Sequence, residues 1–176
     1  MMSSSTPEIS SSALLTAAVL TVSDSCASGQ RADLSGPAVA AVLKKNNFAI
    51  ATLEIVPDDE AAIRKVIVRL SAQVPLVVTT GGTGVAPRDV TPEATRAICD
   101  RLLEGVAEKM RAEGGKNTPF AALSRGVCGT RGTSLILNLP GSPGGAVDSL
   151  MAVVNLLPHA LRLLSGDTEH SPQHLM

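Results

Sequence analysis

The chain has 176 residues, 44% of them hydrophobic, and its 15 Lys and Arg against 16 Asp and Glu leave a formal net charge of −1. The length predicts one domain, and the hydrophobic content argues against intrinsic disorder. The absence of a basic cluster argues against binding to a nucleic acid backbone. Because only 1% of the residues are aromatic, we expect a ligand to be held mainly by backbone amides and short polar side chains.

Both ends of the chain are polar, and the sequence predicts flexible tails at 1–12 and 166–176 around a single domain at 13–165. The apolar stretch at 13–22 is about half the ~20 residues that a bilayer span needs, and no Lys or Arg precedes it. These features predict a cytoplasmic protein with no membrane partner. Three widely spaced cysteines, Cys26, Cys99 and Cys128, predict reduced, buried thiols rather than a disulfide or zinc framework.

Short apolar runs alternate with segments of helical period along the chain. The first half predicts strands at 17–23, 48–56 and 76–80, with a helix at 35–45 that Ser35 caps and a helix after 58 that Asp58 caps. The second half predicts helices at 91–103, 106–113 and 146–164, the last broken by Pro158, and a strand at 134–139. The segment at 114–128 has no clear pattern. This alternation predicts an α/β three-layer sandwich, with a mostly parallel central sheet flanked by helices.

The most informative segment, TTGGTGVAPRDVTPEAT at 79–95, joins a strand to a helix through a glycine-rich turn. Glycines let backbone N–H groups approach an anion, and the helix N-terminus favours negative charge. Arg88 and Asp89 add a phosphate-pairing cation and a carboxylate suited to a divalent metal. Neither a dinucleotide fingerprint nor a P-loop is present. The alternative interpretation is a plain strand-to-helix turn.

A second glycine-rich turn, NLPGSPGG at 138–145, also joins a strand to a helix. Asp24 and Asp58 follow the first and second strands, so four strand ends should converge at one edge of the sheet. Each carboxylate taken alone has an alternative interpretation as a helix cap or turn residue. Together they predict a polar cleft at this edge.

Several segments resemble those of the molybdopterin adenylyltransferase family, which includes the G domain of gephyrin. The resemblance covers about residues 15–165 and is carried by LTVSDS (20–25), VPDD (56–59), the 79–95 segment, TPFAALSR (118–125) and LILNLPGSPGG (135–145). The GGTG-x-x-PRDVTPEAT string also occurs in related molybdenum insertase domains. The SR-x-x-x-G-x-RG and NLPG strings are typical of the adenylyltransferases.

This resemblance implies a reaction in which Mg-ATP and molybdopterin give adenylylated molybdopterin and pyrophosphate. It implies catalytic, Mg²⁺-binding roles for Asp58 and Asp89. It implies a nucleotide site formed by Asp24, Gly81, Gly82, Thr83, Gly84, Asn138, Pro140 and Gly141, and a molybdopterin site formed by Ser124, Arg125, Arg131 and Ser142. It also implies a homotrimer and a molybdenum insertase as a possible partner.

One position departs from the family pattern, because Leu34 stands where the family usually has Arg. Lys44, Arg88 or Arg131 would then have to supply the missing cation. A non-catalytic carrier or scaffold that binds molybdopterin is the alternative function, and a purely structural assembly protein is weaker still. The three histidines point to no metal site, since His159 is expected to be structural and His170 and His174 lack a third ligand.

Overall fold

The computed structural model describes residues 14–167; the predicted tail at 1–12, most of that at 166–176, His170 and His174 lie outside them. The described chain forms one six-stranded sheet from β1 (Leu15–Val22), β2 (Phe48–Val56), β3 (Leu76–Thr80), β4 (Arg101–Leu102), β5 (Cys128–Arg131) and β6 (Ser134–Leu139). The strand order is β2-β1-β3-β6-β5-β4. Neighbours among β2, β1, β3 and β6 pair parallel, whereas β5 pairs antiparallel with both β6 and β4.

Helices cover both faces of this sheet. They are α1 (Asp24–Ala27), α2 (Ser35–Lys45), α3 (Glu60–Ser71), α4 (Thr91–Arg96), α5 (Glu104–Gly115), α6 (Pro143–Val153) and α7 (Leu157–Leu164), with 3₁₀ turns at Pro119–Leu123 and Val154–Leu156. Alternate residues of each central strand point to opposite faces. In β1, Val19 packs with α2, α5, α6 and α7, whereas Leu20 packs with α3 and α4. The predicted α/β sandwich is therefore confirmed.

The central strands are buried on both faces, and this burial explains their almost continuous apolar sequences. Every residue of β3 and of β6 is buried. β2, β3 and β6 have the predicted bounds. Because parallel strands all end at the same edge, the segments after β1, β2, β3 and β6 meet there.

The segment between α4 and α5 differs from the prediction. The helix predicted at 91–103 ends at Arg96, and the chain then enters β4. The Asp100 N–H donates to the Thr130 carbonyl at 2.7 Å, and the Leu103 N–H donates to the Cys128 carbonyl at 2.8 Å. Hydrogen bonds to the unpredicted strand β5 therefore determine this segment, rather than its helical period. The next helix also begins at Glu104, two residues earlier than predicted.

The helical stretch Pro143–Leu164 is long and apolar enough to cross a membrane by length and composition alone. Its inward residues, among them Leu150 and Leu157, are nevertheless buried in the core on one face of the sheet. The stretch is broken at Val154–Leu156, and Pro158 lies in the first turn of α7. The break predicted from Pro158 thus occurs just before that proline, where a proline is compatible with the start of a new helix.

The three cysteines are free, as predicted. Cys26 and Cys128 are buried and Cys99 is half-buried. Burial raises the pKa of the Cys128 thiol to about 12 and that of Cys99 to about 11. Both groups are therefore neutral thiols at pH 7, poorly suited to nucleophilic chemistry.

Candidate active site

The turn that follows β3 requires glycine at its first two positions. Gly81 and Gly82 have φ angles of +100° and +63°, and a Cβ on Gly81 would overlap the Val22 carbonyl oxygen. Thr91 holds the turn, because its hydroxyl donates to the Gly81 carbonyl at 2.9 Å and its N–H donates to the Gly82 carbonyl at 3.1 Å. Within the described chain, the backbone N–H groups at 82–84 have no hydrogen-bond acceptor. They are therefore available to an anion.

The second glycine-rich turn packs directly against the first. A Cβ on Gly141 would lie 3.2 Å from the Gly81 Cα, and the Thr80 hydroxyl donates to the Pro140 carbonyl at 2.7 Å. Ser142 caps α6, since its hydroxyl oxygen accepts a hydrogen bond from the Gly145 N–H at 3.3 Å. The two turns therefore form one continuous floor at the carboxyl ends of β3 and β6.

Two carboxylates at neighbouring strand ends bind each other's backbone. The Asp24 N–H donates to Asp58 Oδ2 at 2.8 Å, and the Asp58 N–H donates to Asp24 Oδ1 at 3.0 Å. The helix cap predicted for Asp58 is wrong: Asp59 caps α3, accepting from the Ala62 N–H at 2.8 Å. Asp58 is free of that role because its side chain turns towards Asp24, and it lines the cleft.

Asp89 lies on the loop between the glycine turn and α4, and Arg125 fastens this loop. The Arg125 Nε donates to the Gly84 carbonyl at 2.7 Å, and Nη2 donates to the Asp89 carbonyl at 2.6 Å. The guanidinium also forms an ion pair with Glu93 on α4. Asp89 Oδ2 accepts from the Ala86 N–H at 2.9 Å. With its donors used in this way, Arg125 positions the loop.

The Asp58 carboxylate lies in a negative environment. Burial raises the pKa of Asp58 above its ordinary value, and the carboxylates of Asp24 and Asp89 raise it further. The hydrogen bond from the Asp24 N–H and the positive charge of Arg88 act in the opposite direction. A bound cation would relieve this repulsion.

The residues at this edge fit a magnesium ion that a nucleotide also ligates. Among the described residues, no group of three or more His, Cys, Asp or Glu is arranged to hold a metal by itself. Mg²⁺, however, usually takes only one or two carboxylates and completes its shell with phosphate oxygens and water. Asp58 and Asp89 each bind a backbone N–H through Oδ2, which leaves Oδ1 available. These hard oxygens suit Mg²⁺.

Two cavities, each of about 520 Å³, open at this edge of the sheet. The first cavity is bounded by Asp58 and the loop at 31–35, and the second by Ser124 and the 3₁₀ turn at Pro119–Leu123. The residues common to both are Gly82, Asp89, Gly141 and Ser142. Two ligands, one in each cavity, would therefore meet at Asp89 and the two glycine turns.

Most of the remaining predicted site residues border these cavities. Gly81 lines the first cavity, whereas Thr83, Gly84 and Pro140 line the second. Arg88, predicted as a phosphate-pairing cation, instead forms an ion pair with Asp24 at 2.7 Å.

Four predicted ligand residues, Asp24, Arg125, Asn138 and Arg131, do not line either cavity. Asn138 is buried, and its amide donates to Thr79 and Thr95 and accepts from the Val127 N–H, so it holds the strand end in place. Arg131 pairs with Ser134 at the amino end of β6, which is the opposite edge of the sheet. There its Nη1 donates to the Ile98 carbonyl at 3.1 Å. The side chains of Asn138 and Arg131 therefore lie away from these cavities, and their roles as ligand contacts stay predictions.

Arg31 and Phe120 are among the cavity residues that had no role in the sequence-based interpretation. Arg31 lines the first cavity, and Phe120, which is 75% exposed, lines the second. Arg31 lies in a loop without periodicity, so nothing local marked it. Phe120 could have been recognised as one of only two aromatic residues in the chain.

Comparison with known proteins identifies close relatives. The family model described as "Probable molybdopterin binding domain" matches residues 18–159. The molybdopterin adenylyltransferase of Helicobacter pylori (strain J99) is 42% identical over 153 residues, covering 85% of this chain and 87% of that protein. The molybdenum cofactor synthesis protein cinnamon of Drosophila melanogaster is 42% identical over 159 residues. That match covers 87% of this chain but only 26% of the longer fly protein.

A solved structure shows the same fold. The molybdopterin biosynthesis enzyme MoaB from Thermus thermophilus superposes with a TM-score of 0.82 and 51% sequence identity. The match covers 86% of this chain and 97% of that structure.

Proposed function

We propose that this chain, which belongs to the molybdopterin-binding domain family, transfers the adenylyl group of ATP to molybdopterin. Its relatives include proteins named molybdopterin adenylyltransferase. The predicted family is thus confirmed, and it gives the chain a role in molybdenum cofactor biosynthesis. In the proposed reaction, a phosphate oxygen of molybdopterin bonds to the α-phosphorus of ATP. The bond from that phosphorus to the bridging oxygen breaks, and pyrophosphate leaves.

The observation that carries this proposal is the pair of cavities that share one floor. A transfer between two bound substrates requires their reacting atoms to lie about 3–3.5 Å apart. Gly82, Asp89 and Gly141 border both cavities, so ligands that fill them approach each other at this boundary. A protein that only carries molybdopterin needs one of these cavities.

The walls of the two cavities suggest which substrate each takes. The first cavity has Asp58 at its edge and the unsatisfied N–H group of Gly82 in its floor, features that suit a metal-bound polyphosphate. The second cavity has an apolar wall of Phe120, Ala121 and Leu123 beside the hydroxyl of Ser124. Such a wall suits a flat heterocycle with polar edges, such as a pterin.

This chain's own groups would act mainly by positioning and by electrostatics. The turn amides at 82–84 would bind phosphate oxygens, and Arg125 would keep Asp89 at the boundary between the cavities. No general base is needed, because a phosphate nucleophile is ionised at neutral pH. Mg²⁺ held by Asp58 and Asp89 would neutralise charge on the phosphates.

We extend the proposal to the assembly. A homotrimer and a molybdenum insertase partner remain proposals, as does a cytoplasmic location. The fly relative is about four times the length of the matched segment, which is compatible with fusion to another domain in that protein. Light scattering tests the trimer, since a stable monomer near 18 kDa would contradict it.

The test of the reaction is an anaerobic incubation of the purified protein with ATP, Mg²⁺ and freshly released molybdopterin, followed by chromatography. We expect adenylylated molybdopterin and pyrophosphate in equal amounts from the wild type and a loss of both in Asp58→Asn. Retention of molybdopterin by the wild type without any product would reject the transferase and favour the carrier.

A further inference from the structure

We propose that Arg31 binds the pyrophosphate portion of the nucleotide in the first cavity, an inference that rests on the adenylyl transfer proposed above. Of the residues that line the two cavities, Arg31 is the sole Lys or Arg within the described chain. The triphosphate is the most highly charged part of either substrate, and its two outer phosphates become the leaving group. Arginine binds such groups through a planar fork of donors.

Of the other cations considered from the sequence, Lys44 lines neither cavity, and the remaining three are held by other groups or lie elsewhere. Arg88 pairs with Asp24 at 2.7 Å, and the guanidinium of Arg125 is bound to Gly84, Asp89 and Glu93. Arg131 lies at the opposite edge of the sheet. Arg31, by contrast, forms no side-chain hydrogen bond or ion pair with any residue of the described chain and is exposed.

The loop that carries Arg31 is anchored on both sides. The Arg31 N–H donates to the Ser25 carbonyl at 3.0 Å. Two residues later, Asp33 accepts from the Thr21 hydroxyl at 2.7 Å and from the N–H of Gly36, in the first turn of α2, at 3.0 Å. The predicted cap Ser35 is instead the first residue of α2, and Leu34 occupies the N-cap position. The backbone at Arg31 is thus held at the cavity while its side chain stays free to reach a ligand.

The apolar residue at position 34 explains why the positive charge of Arg31 is needed in this chain. Leu34 also lines the first cavity and is 67% exposed, so it places an apolar side chain where the family pattern has a cation. Arg31 is then the residue left to balance the phosphate charge opposite Asp58. An arginine introduced at position 34 should replace it in part, because both residues border the same cavity.

The test compares the binding of two probes, pyrophosphate and AMP, each with Mg²⁺, by calorimetry at low salt. Arg31→Ala should weaken pyrophosphate binding about tenfold, the usual order for a hydrogen-bonded charged group, and change AMP binding less than about twofold. Arg31→Ala combined with Leu34→Arg should regain part of the loss. Lys44→Ala, which removes an exposed cation from α2 that does not line the cavity, is the matched control and should bind both probes normally.

Unchanged pyrophosphate binding in Arg31→Ala, equal weakening of both probes, or no binding of pyrophosphate by the wild type would overturn the proposal. The two proposals fail separately. A wild type that binds pyrophosphate through Arg31 but makes no adenylylated molybdopterin would contradict only the reaction. An active wild type whose pyrophosphate affinity does not change in Arg31→Ala would contradict only the role proposed for Arg31.

Discussion

The adjacent residues Asp58 and Asp59 should separate catalysis from stability. Asp58 lines the first cavity, whereas Asp59 caps α3 through a 2.8 Å hydrogen bond from the Ala62 N–H. Asp58→Asn keeps the shape and an acceptor oxygen but removes the charge. Asp59→Ala removes the cap and leaves the cavity lining unchanged.

Asp58→Asn should mainly lower kcat, whereas Asp59→Ala should mainly lower the free energy of unfolding. Asp58→Asn should lower kcat about 10²–10³-fold, the range for loss of one strong electrostatic contact in a transition state. Its free energy of unfolding should stay within about 0.5 kcal/mol of wild type. Asp59→Ala should lose about 1 kcal/mol of stability, as N-cap deletions do, or roughly 2–4 °C in Tm at this size. Its kcat should stay within about twofold of wild type.

At pH 7 the Asp58→Asn variant should be slightly more stable than the wild type. Burial raises the pKa of Asp58 in the folded protein above the ordinary value of 3.8, helped by the carboxylates of Asp24 and Asp89. The charged form is therefore disfavoured on folding, and this penalty is complete above the raised pKa. As the pH falls through the raised pKa towards 3.8 the penalty disappears, so the advantage of the variant should disappear as well.

The assay combines urea unfolding at pH 7 and near pH 4 with the chromatographic adenylylation assay on both variants. A folded Asp59→Ala variant that is as inactive as Asp58→Asn would contradict these roles. An Asp58→Asn variant that keeps full activity and is the less stable of the two would contradict them equally.

Three further substitutions test the structural roles assigned above. Gly81→Ala should lower the free energy of unfolding by about 2–3 kcal/mol, because its φ is +100° and a Cβ would meet the Val22 carbonyl; an unchanged urea midpoint would contradict this. Asn138→Ala should lower the free energy of unfolding by about 2–4 kcal/mol, because it removes buried hydrogen bonds. The affinity of the folded variant for AMP, measured by calorimetry, should be unchanged. Arg125→Lys should lower kcat about tenfold, because it releases the loop that carries Asp89, while the affinity for pyrophosphate stays normal. An equal decrease in kcat and in pyrophosphate affinity would instead identify Arg125 as a ligand contact.

The predictions that held rest on local patterns with a direct physical cause. β3 and β6 are buried on both faces, so their continuous apolar runs gave their bounds correctly. The glycine turn and the carboxylates Asp58 and Asp89 were placed at one edge because parallel strands end together.

The predictions that failed depend on contacts between residues far apart in the sequence. The 91–103 helix was wrong because hydrogen bonds from Asp100 and Leu103 to β5 hold this segment as an edge strand. Arg131 lies away from the two cavities because the β5–β6 hairpin reverses direction and carries it to the amino end of β6. Neither pairing leaves a trace in local periodicity, and the same holds for the loop that brings Arg31 to the cavity.

The most direct test of the central claim follows two radioactive phosphates of ATP in one reaction with molybdopterin and Mg²⁺. Adenylyl transfer predicts that an α-phosphate label enters the pterin product and that a γ-phosphate label leaves in pyrophosphate, with both transfers lost in Asp58→Asn. A γ-label found on the pterin, or an α-label that stays wholly in ATP and free AMP, would contradict the proposed transfer.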